Sequence, residues 1–596
     1  MACEDLHDDL TLSIYLTHYI QRETLEAMGL PSGHDREKGS IMATNTGSTG
    51  APLTQPADIG LRREMGLIGA TWASETSIIG SGWLFAGMDA AVLAGPAAIY
   101  GWLIGGACAI VLALLHAELG GMYPVAGGTA RFPHLAFGSV AGVSFGFFSW
   151  LQAVTVAPVE CYAVMQYGQY YWHSIYNPTT GRITGLGFAM TIVLMALFTA
   201  VNFLAVRLFS RVNAAITWWK VAIPLITIVI FLFKFHGGNF SPGGGGFMPF
   251  GIKAVFSAIP SAGIVFSFLG FEQADQLAGE IKDPQKNLPR AIIIAILLGT
   301  FIYCMCQIVL IGATPASLLT HGFQGIATDN PVLTYPFAAV AGLAGLGVWA
   351  TILHVDAFIS PAGTGMIYQT STSRIGYGLA RNRYYPQAFQ WVDRNGVPWF
   401  SLIMAFVFGI FFLLPFPSWQ ALVGLVTGAS VLMYAGAPLS LGAFRRQVPD
   451  HPRPYRVPFG VVLSPLGFII ANMIIYWSGF NVIWKLGVCI VIGYILIGIS
   501  MFFDQNRPPF DWKSAQWLAP YLIGMGLISW FGQFGSGAPP INNGRLPFWW
   551  DMLVVAGFSV AIYYWAMYAK LPRQEVDRLV ELQSARMGDA PTTPRH

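Results

Sequence analysis

The sequence predicts an all-α integral membrane protein of about fourteen spans, two of them discontinuous. Three observations predict it. Of the 596 residues, 54% are hydrophobic and only 10% are charged, where an ordinary soluble chain carries about 25% charged residues. Apolar stretches of about 20 residues, enough to cross a bilayer, recur along most of the chain. Two of these stretches are interrupted by small, flexible residues: Ile79-Gly80-Ser81-Gly82 in the first, and Phe266-Ser267-Phe268-Leu269-Gly270-Phe271 in the sixth. A glycine inside a helix costs roughly 1 kcal/mol relative to alanine, and in lipid every freed backbone group must find a partner. A matched pair of breaks is tolerated where protein or a watery cavity surrounds it, and it points to the binding site of a carrier.

Residues 1–58 are polar and then Thr/Ser/Gly/Pro-rich, a tail with too little apolar surface to order itself. No cleavable signal peptide is visible, and Met42 offers a second start that would leave 1–41 as upstream sequence. The expected spans are 66–93 (broken), 97–117, 140–168, 186–205, 213–233, 255–279 (broken), 290–313, 337–360, 399–415, 419–443, 463–483, 486–503, 515–533 and 549–569. Lysine and arginine crowd alternate loops, among them Arg62, Arg63, Lys282, Lys286, Arg290, Arg381, Arg383, Arg445 and Arg446. The opposite loops hold only Arg182, Lys234, Lys253, Lys485 and Arg545. The positive-inside rule converts this bias into a cell-membrane protein with both termini cytoplasmic. The charged stretch 570–596 is expected to start as a short surface helix and then fray.

Several function classes are not supported. The net charge of +3 comes with no basic tract, so nucleic acid is not an expected partner. Cys3, Cys108, Cys161, Cys304, Cys306 and Cys489 form no CxxC pair and mostly fall in apolar runs, as small core residues do. The histidines are scattered without an HExxH pattern, and no Ser/His/Asp arrangement can be argued, so neither an enzyme nor a cofactor or metal is expected. The glycine run 243–246 lacks the GK[ST] ending of a phosphate loop, and no ATP-binding domain is present. Filter repeats of a channel are absent.

Four ordered motifs carry a resemblance. They are Gly80-Ser81-Gly82 in the first span and Glu118-Leu119-Gly120-Gly121-Met122-Tyr123-Pro124 with Gly127-Gly128 after the second. Then come Gly270-Phe271-Glu272 followed by Glu280-Ile281-Lys282-Asp283-Pro284-Gln285-Lys286, and Thr372-Ser373-Arg374-Ile375-Gly376 with Pro386 and Gly396-Val397-Pro398. Together they resemble the amino acid–polyamine–organocation superfamily of secondary carriers, in its bacterial proton-coupled branch. The resemblance covers roughly 60–445. It implies a LeuT-like five-plus-five inverted repeat with discontinuous helices 1 and 6, so that 59–445 is a ten-helix transporter core and 446–569 adds four helices. Many relatives have twelve spans, so the last pair is a departure.

The same resemblance implies a site. An amino acid carboxylate would sit on first-helix amides at Gly80, Ser81 and Gly82, with Ile79 beside them in the substrate-binding wall. The ammonium would sit on sixth-helix carbonyls near Phe266, Ser267 and Leu269, with Phe268, Gly270 and Phe271 completing that wall. Phe266, Phe268 and Phe271 are candidates for an aromatic lid, with ordinary packing as the alternative. A glycine hinge packed on a neighbour is the alternative for the breaks themselves. Lys220 lies deep in an apolar span, where a charged lysine costs about 3 kcal/mol unless paired, snorkelling or neutral. In proton-coupled relatives a fifth-helix lysine stands where sodium-coupled cousins hold an ion, which implies a proton as coupling ion here. Glu75 is expected to neighbour Lys220 and share its proton, Glu272 matches an acid that relatives use, and Asp356, Asp275 and Glu160 are further intramembrane acids. The segment around Asp356 resembles members described as aspartate–proton symporters, although no mid-span arginine is present to meet an acidic side chain. Glu118, Glu280, Arg374 and Arg381 fall at inner ends of spans, as gate or loop contacts. The expected function is proton-coupled amino acid symport by alternating access in the lipid bilayer. An amino acid exchanger or polyamine importer, and a non-transporting sensor, are the alternatives; the oligomeric state does not follow.

Overall fold

Apolar runs in lipid fold as helices because only a helix satisfies its backbone within one segment. The computed structural model describes residues 65–123, 128–203, 206–276, 281–327, 329–393, 396–416, 418–503, 510–534 and 544–588, all within the unit Asp58–His596. The expected N-terminal tail and Glu280 lie outside the described residues.

The helices run in order as α1 (Leu67–Ile78), α2 (Gly82–Ala94), α3 (Ala98–Met122), α4 (Gly128–Phe137), α5 (Ser139–Gly168), α6 (Gly185–Asn202) and α7 (Val206–Leu232). Next come α8 (Gly251–Ser261), α9 (Ile264–Ser267), α10 (Gln273–Gln276), α11 (Pro284–Ala313), α12 (Pro331–Thr334), α13 (Pro336–Leu343) and α14 (Gly347–Arg381). The remainder is α15 (Trp399–Leu413), α16 (Trp419–Tyr434), α17 (Gly436–Gln447), α18 (Gly460–Trp477), α19 (Phe480–Phe503), α20 (Leu518–Phe531), α21 (Phe548–Ala569) and α22 (Arg573–Gly588). Among the described residues, nine helical stretches are long and apolar enough to cross a membrane, and α15 and α20 are shorter apolar helices. The protein is thus an all-α multi-pass membrane protein.

Every expected span contains helix, and both expected breaks are breaks. The eighth span differs. Instead of 337–360, α13 stops at Leu343, Gly345 takes φ +78, and α14 starts at Gly347 and continues for 35 residues. A left-handed glycine ends a helix readily, which moves the start. The longer end arises because hydropathy discounts the Ser/Thr-rich stretch 370–373, where the helix itself satisfies the hydroxyls of Thr370, Thr372 and Ser373, and Ser371 donates to Gln273 Oε1 at 2.6 Å. Thr372 Oγ1 donates to Tyr368 O at 2.6 Å and Thr370 Oγ1 to Met366 O at 3.1 Å.

The helices after α17 are joined by buried polar rungs, one of which reaches α17 itself. Ser464 Oγ donates to Pro438 O at 2.5 Å, Tyr521 OH to Asn472 Oδ1 at 2.6 Å, and Asn472 Nδ2 to Ser559 Oγ at 2.9 Å. Tyr476 OH donates to Asp551, which also accepts from Met552 N at 2.7 Å. Asp511, ahead of α20, caps α5 by accepting from Ser139 N at 2.9 Å, a favourable place for an anion. Asp551→Ala leaves the Tyr476 hydroxyl buried without its acceptor, a loss of roughly 1–3 kcal/mol. It is expected to lower the unfolding temperature in detergent while leaving the apparent substrate affinity unchanged; a shifted affinity would contradict this purely structural role.

Candidate functional site

The last carbonyls of a helix and the first amides of the next lack intrahelical partners, so each break must be satisfied from elsewhere. At the first break three donors meet the carbonyl end of α1. Lys220 Nζ donates to Thr76 O at 2.5 Å and to Thr364 Oγ1 at 2.6 Å. Thr364 Oγ1 lies 3.2 Å from Thr76 O, and Tyr303 OH donates to Ile78 O at 2.9 Å. On the amide side, Ser81 N donates to Glu160 Oε2 at 2.8 Å, while Trp419 Nε1 donates to Ser81 Oγ at 3.0 Å. Glycine is required here for closeness: a Cβ on Gly80 would stand 2.7 Å from Glu160 Oε1, and one on Gly82 3.0 Å from the Cα of Ser267.

The second break is longer than the first. Gly263 has φ +84, and α9 makes only one turn. Residues 268–272 then turn tightly, with Phe268 N donating to Val265 O at 3.0 Å and Leu269 N to Phe266 O at 3.1 Å. Gly270, at φ +117, donates its N–H to Glu272 Oε2 at 2.9 Å. Tyr434 OH reaches the same oxygen at 2.6 Å, and Tyr368 OH reaches Oε1 at 3.4 Å. Ser74 Oγ on α1 donates to Phe271 O at 3.2 Å, so the two breaks are tied to each other.

Between the breaks lies a cavity of about 10 Å³ lined by Ser77, Ile78, Gly80, Val156, Glu160, Phe266, Leu269, Thr364 and Tyr368. That is room for roughly one water, so the two walls are closed on each other. Of the expected binding residues, Gly80, Phe266 and Leu269 line this space. Ile79, Ser81, Gly82, Ser267, Phe268, Gly270 and Phe271 are buried around it. Of the three rings expected as a lid, Phe266 lines this space, and its ring meets Trp419 edge-on at 5.8 Å. Phe268 turns instead to Trp102 and Tyr303, and Phe271 stacks on Tyr434 at 4.8 Å, because a short helical turn points neighbouring side chains in different directions.

Lys220 is fully buried and within electrostatic reach of Glu160, Asp356 and Glu75. Asp356 Oδ1 accepts from Trp219 Nε1 at 2.8 Å and Ser360 Oγ at 2.7 Å. Glu75 has both oxygens buried without a hydrogen-bond partner among the described residues, and Lys220 bonds the carbonyl next to it rather than its carboxyl. Glu272 belongs to the separate tyrosine nest. Thr364 and Tyr368 were missed by the sequence reading, although Thr364 lies in the polar segment singled out around Asp356. Glu160, noted only as one more intramembrane acid, is the group that holds the first break's amide. Farther away, Glu118 pairs with Arg445 at 2.5 Å and Arg453 at 3.3 Å and accepts from Val457 N at 2.8 Å. It thereby clasps the 445–457 stretch to α3. Arg381 lies over the Tyr377 ring.

Two broken membrane helices, joined through their breaks and backed by a buried lysine, define a permease. The chain belongs to the amino acid permease family, whose model matches residues 65–497. It is 35% identical to the aspartate-proton symporter of Bacillus subtilis over 84% of this chain and 95% of that one. It is 36% identical to the glutamate/serine transporter AimA of the same organism, over 85% and 94%. It is 25% identical to the branched-chain amino acid permease BcaP, also of Bacillus subtilis, over 75% of this chain and 94% of that one.

Proposed function

We propose that this protein is a proton-coupled symporter of small polar and acidic amino acids, working by alternating access. The observation that carries the reading is Lys220, bonded to the carbonyl end of broken α1 and to Thr364, with three carboxyls in electrostatic reach. One amine and three carboxyls cannot all be charged in a low-dielectric interior without a desolvation cost of several kcal/mol per ion. The cluster therefore stores exchangeable protons. The similarity to carriers of aspartate, glutamate and serine supports the substrate class.

Glu160 links the proton to the substrate. Its carboxylate holds the Ser81 amide, the position a substrate carboxylate would take, and its other oxygen has no hydrogen-bond partner among the described residues. Protonation of Glu160 weakens it as an acceptor and frees the amide. The incoming carboxylate then replaces it, while the ammonium finds carbonyls of the second break. In this reading 59–445 is the ten-helix inverted-repeat core, 446–569 contributes four crossings to make fourteen, and both termini are cytoplasmic.

The test is uptake of labelled aspartate, glutamate and serine into proteoliposomes under an imposed pH gradient, and separately under a sodium gradient. Proton-driven uptake is expected. Sodium dependence without a pH response would sink the proposal, and uptake only into preloaded vesicles would favour an exchanger. Glu160→Gln is expected to keep substrate-for-substrate exchange while losing the response to the pH gradient. Equal loss of both would reduce Glu160 to a structural cap.

A further inference from the structure

Glu272 is fully buried, and the coupling of Glu160 to the substrate leaves it without a task. One of its oxygens accepts from Gly270 N at 2.9 Å and Tyr434 OH at 2.6 Å, the other from Tyr368 OH at 3.4 Å. Among the described residues it has no cationic partner. A buried carboxylate held by neutral donors alone keeps a desolvation cost that a proton removes, so Glu272 can take up a proton as well as release one. The titratable groups around it are Tyr368, Tyr434, Asp275 on α10, Glu160 across Tyr368, and His116 on α3. His116 meets the Tyr434 ring edge-on at 5.3 Å and is committed through Nδ1 to Leu112 O at 2.8 Å.

Tyr368 connects this acid to the small cavity between the breaks. The lining side chains with exchangeable protons are Ser77, Glu160, Thr364 and Tyr368. Ser77 Oγ donates back to Ala73 O at 3.1 Å, and Thr364 Oγ1 is occupied by Lys220 and the Thr76 carbonyl. Tyr368 alone among them reaches a carboxylate outside the cavity. Gln152 of α5 and Gln273 stand beside its hydroxyl. Gln152 is fully buried, and neither of its amide atoms has a hydrogen-bond partner among the described residues. The same holds for Gln273 Nε2, although Gln273 Oε1 accepts from Ser371 Oγ at 2.6 Å. A buried polar atom left unanswered costs about 1–3 kcal/mol. With room for roughly one water in the cavity, a water in line with the hydroxyl answers these amides.

We propose that Tyr368 relays the coupling proton from Glu160 to Glu272, out of the substrate cavity. Protonated Glu160 gives its proton to the cavity water, and that water gives one to the Tyr368 oxygen. The hydroxyl's own proton moves to Glu272 Oε1, since a hydroxyl both accepts and donates. Glu160 ends as a carboxylate, Tyr368 as a neutral hydroxyl and Glu272 as an acid, so protons and charge balance. The restored Glu160 carboxylate reclaims the Ser81 amide and expels the substrate carboxylate. Tyr368 lies one turn past Thr364 toward the end of α14 that carries Arg374 and Arg381. That end is cytoplasmic when both termini are, so proton and substrate leave on the same side. The inference rests on the proton-coupled reading of Glu160.

The full chain in proteoliposomes allows two rates to be compared: net uptake of labelled aspartate, glutamate and serine under a pH gradient, and substrate-for-substrate exchange. Tyr368→Phe removes the hydroxyl and keeps the ring. It should retain exchange, which needs no proton to leave Glu160. It should slow gradient-driven uptake on the order of 100-fold, the lower end of what a positioned proton donor contributes. Glu272→Gln should do the same, and it keeps the test decisive if the tyrosine variant fails to fold. Tyr434→Phe separates a relay from a scaffold, because its bond to Glu272 is the shorter one. A nest that merely holds the carboxylate suffers more from losing the Tyr434 hydroxyl, whereas a relay suffers more from losing that of Tyr368. A full gradient response in Tyr368→Phe or Glu272→Gln, equal loss of exchange and uptake, or a larger loss in Tyr434→Phe overturns the relay alone. No gradient response in the unaltered chain overturns both the relay and the proton coupling.

Discussion

Gly270→Ala is expected to abolish uptake and to cost roughly 2–5 kcal/mol of stability. Gly270 stands at φ +117, where only glycine is at ease. A Cβ there would lie 2.7 Å from the backbone carbon of Ser77 and 2.9 Å from the nitrogen of Ile78. These are backbone atoms at the end of α1, so no rotamer change relieves the clash. The helix end must retreat, carrying the Ile78 carbonyl away from Tyr303 and the Thr76 carbonyl away from Lys220. The damage therefore falls on the binding site as well as on the fold. Gly487→Ala is the control, since nothing lies within 4 Å of the added methyl on α19. Uptake in proteoliposomes and unfolding temperature in detergent, measured on both variants, check this. Normal uptake by Gly270→Ala would show that the two breaks need not touch.

Lys220→Met should reduce proton-driven uptake on the order of 100-fold, about the worth of two hydrogen bonds made by a charged donor. Methionine keeps the bulk and removes the amine, leaving the Thr76 carbonyl without that donor and Glu75, Glu160 and Asp356 without their shared counter-charge. Breaking a buried charge network by one partner costs about 3–5 kcal/mol, so a lower unfolding temperature is expected too. The decisive reading is the ratio of uptake with and without a pH gradient, which should fall to one. Lys220→Arg should not restore it, because a guanidinium stays protonated and its planar fork does not fit a site shaped for an ammonium. A variant that lost uptake but kept its full response to the gradient would move the coupling elsewhere.

Much of the fold was legible in the sequence because a bilayer makes backbone satisfaction a local matter. The apolar runs, the glycines at 80, 82 and 270, and Lys220 stand out without any knowledge of neighbours. Legibility failed where polar residues are satisfied by their own helix, as in the Ser/Thr-rich half of α14, which hydropathy assigned to a loop. Spacing also placed three phenylalanines in one break without saying that Phe268 and Phe271 pack on other rings outside the cavity.

By itself the sequence determined that the chain crosses the membrane many times, that its first and sixth spans are interrupted, and that a lysine and several acids are buried among them. Only the tertiary structure decided which group answers which break. Glu160 reaches Ser81 across 79 positions, and Lys220 reaches Thr76 across 144. Helix periodicity is a property of neighbours a few residues apart. Pairings at that distance are set by how whole helices pack, and close packing alone chose Glu160, rather than any of the other buried acids, to hold the amide of the first break.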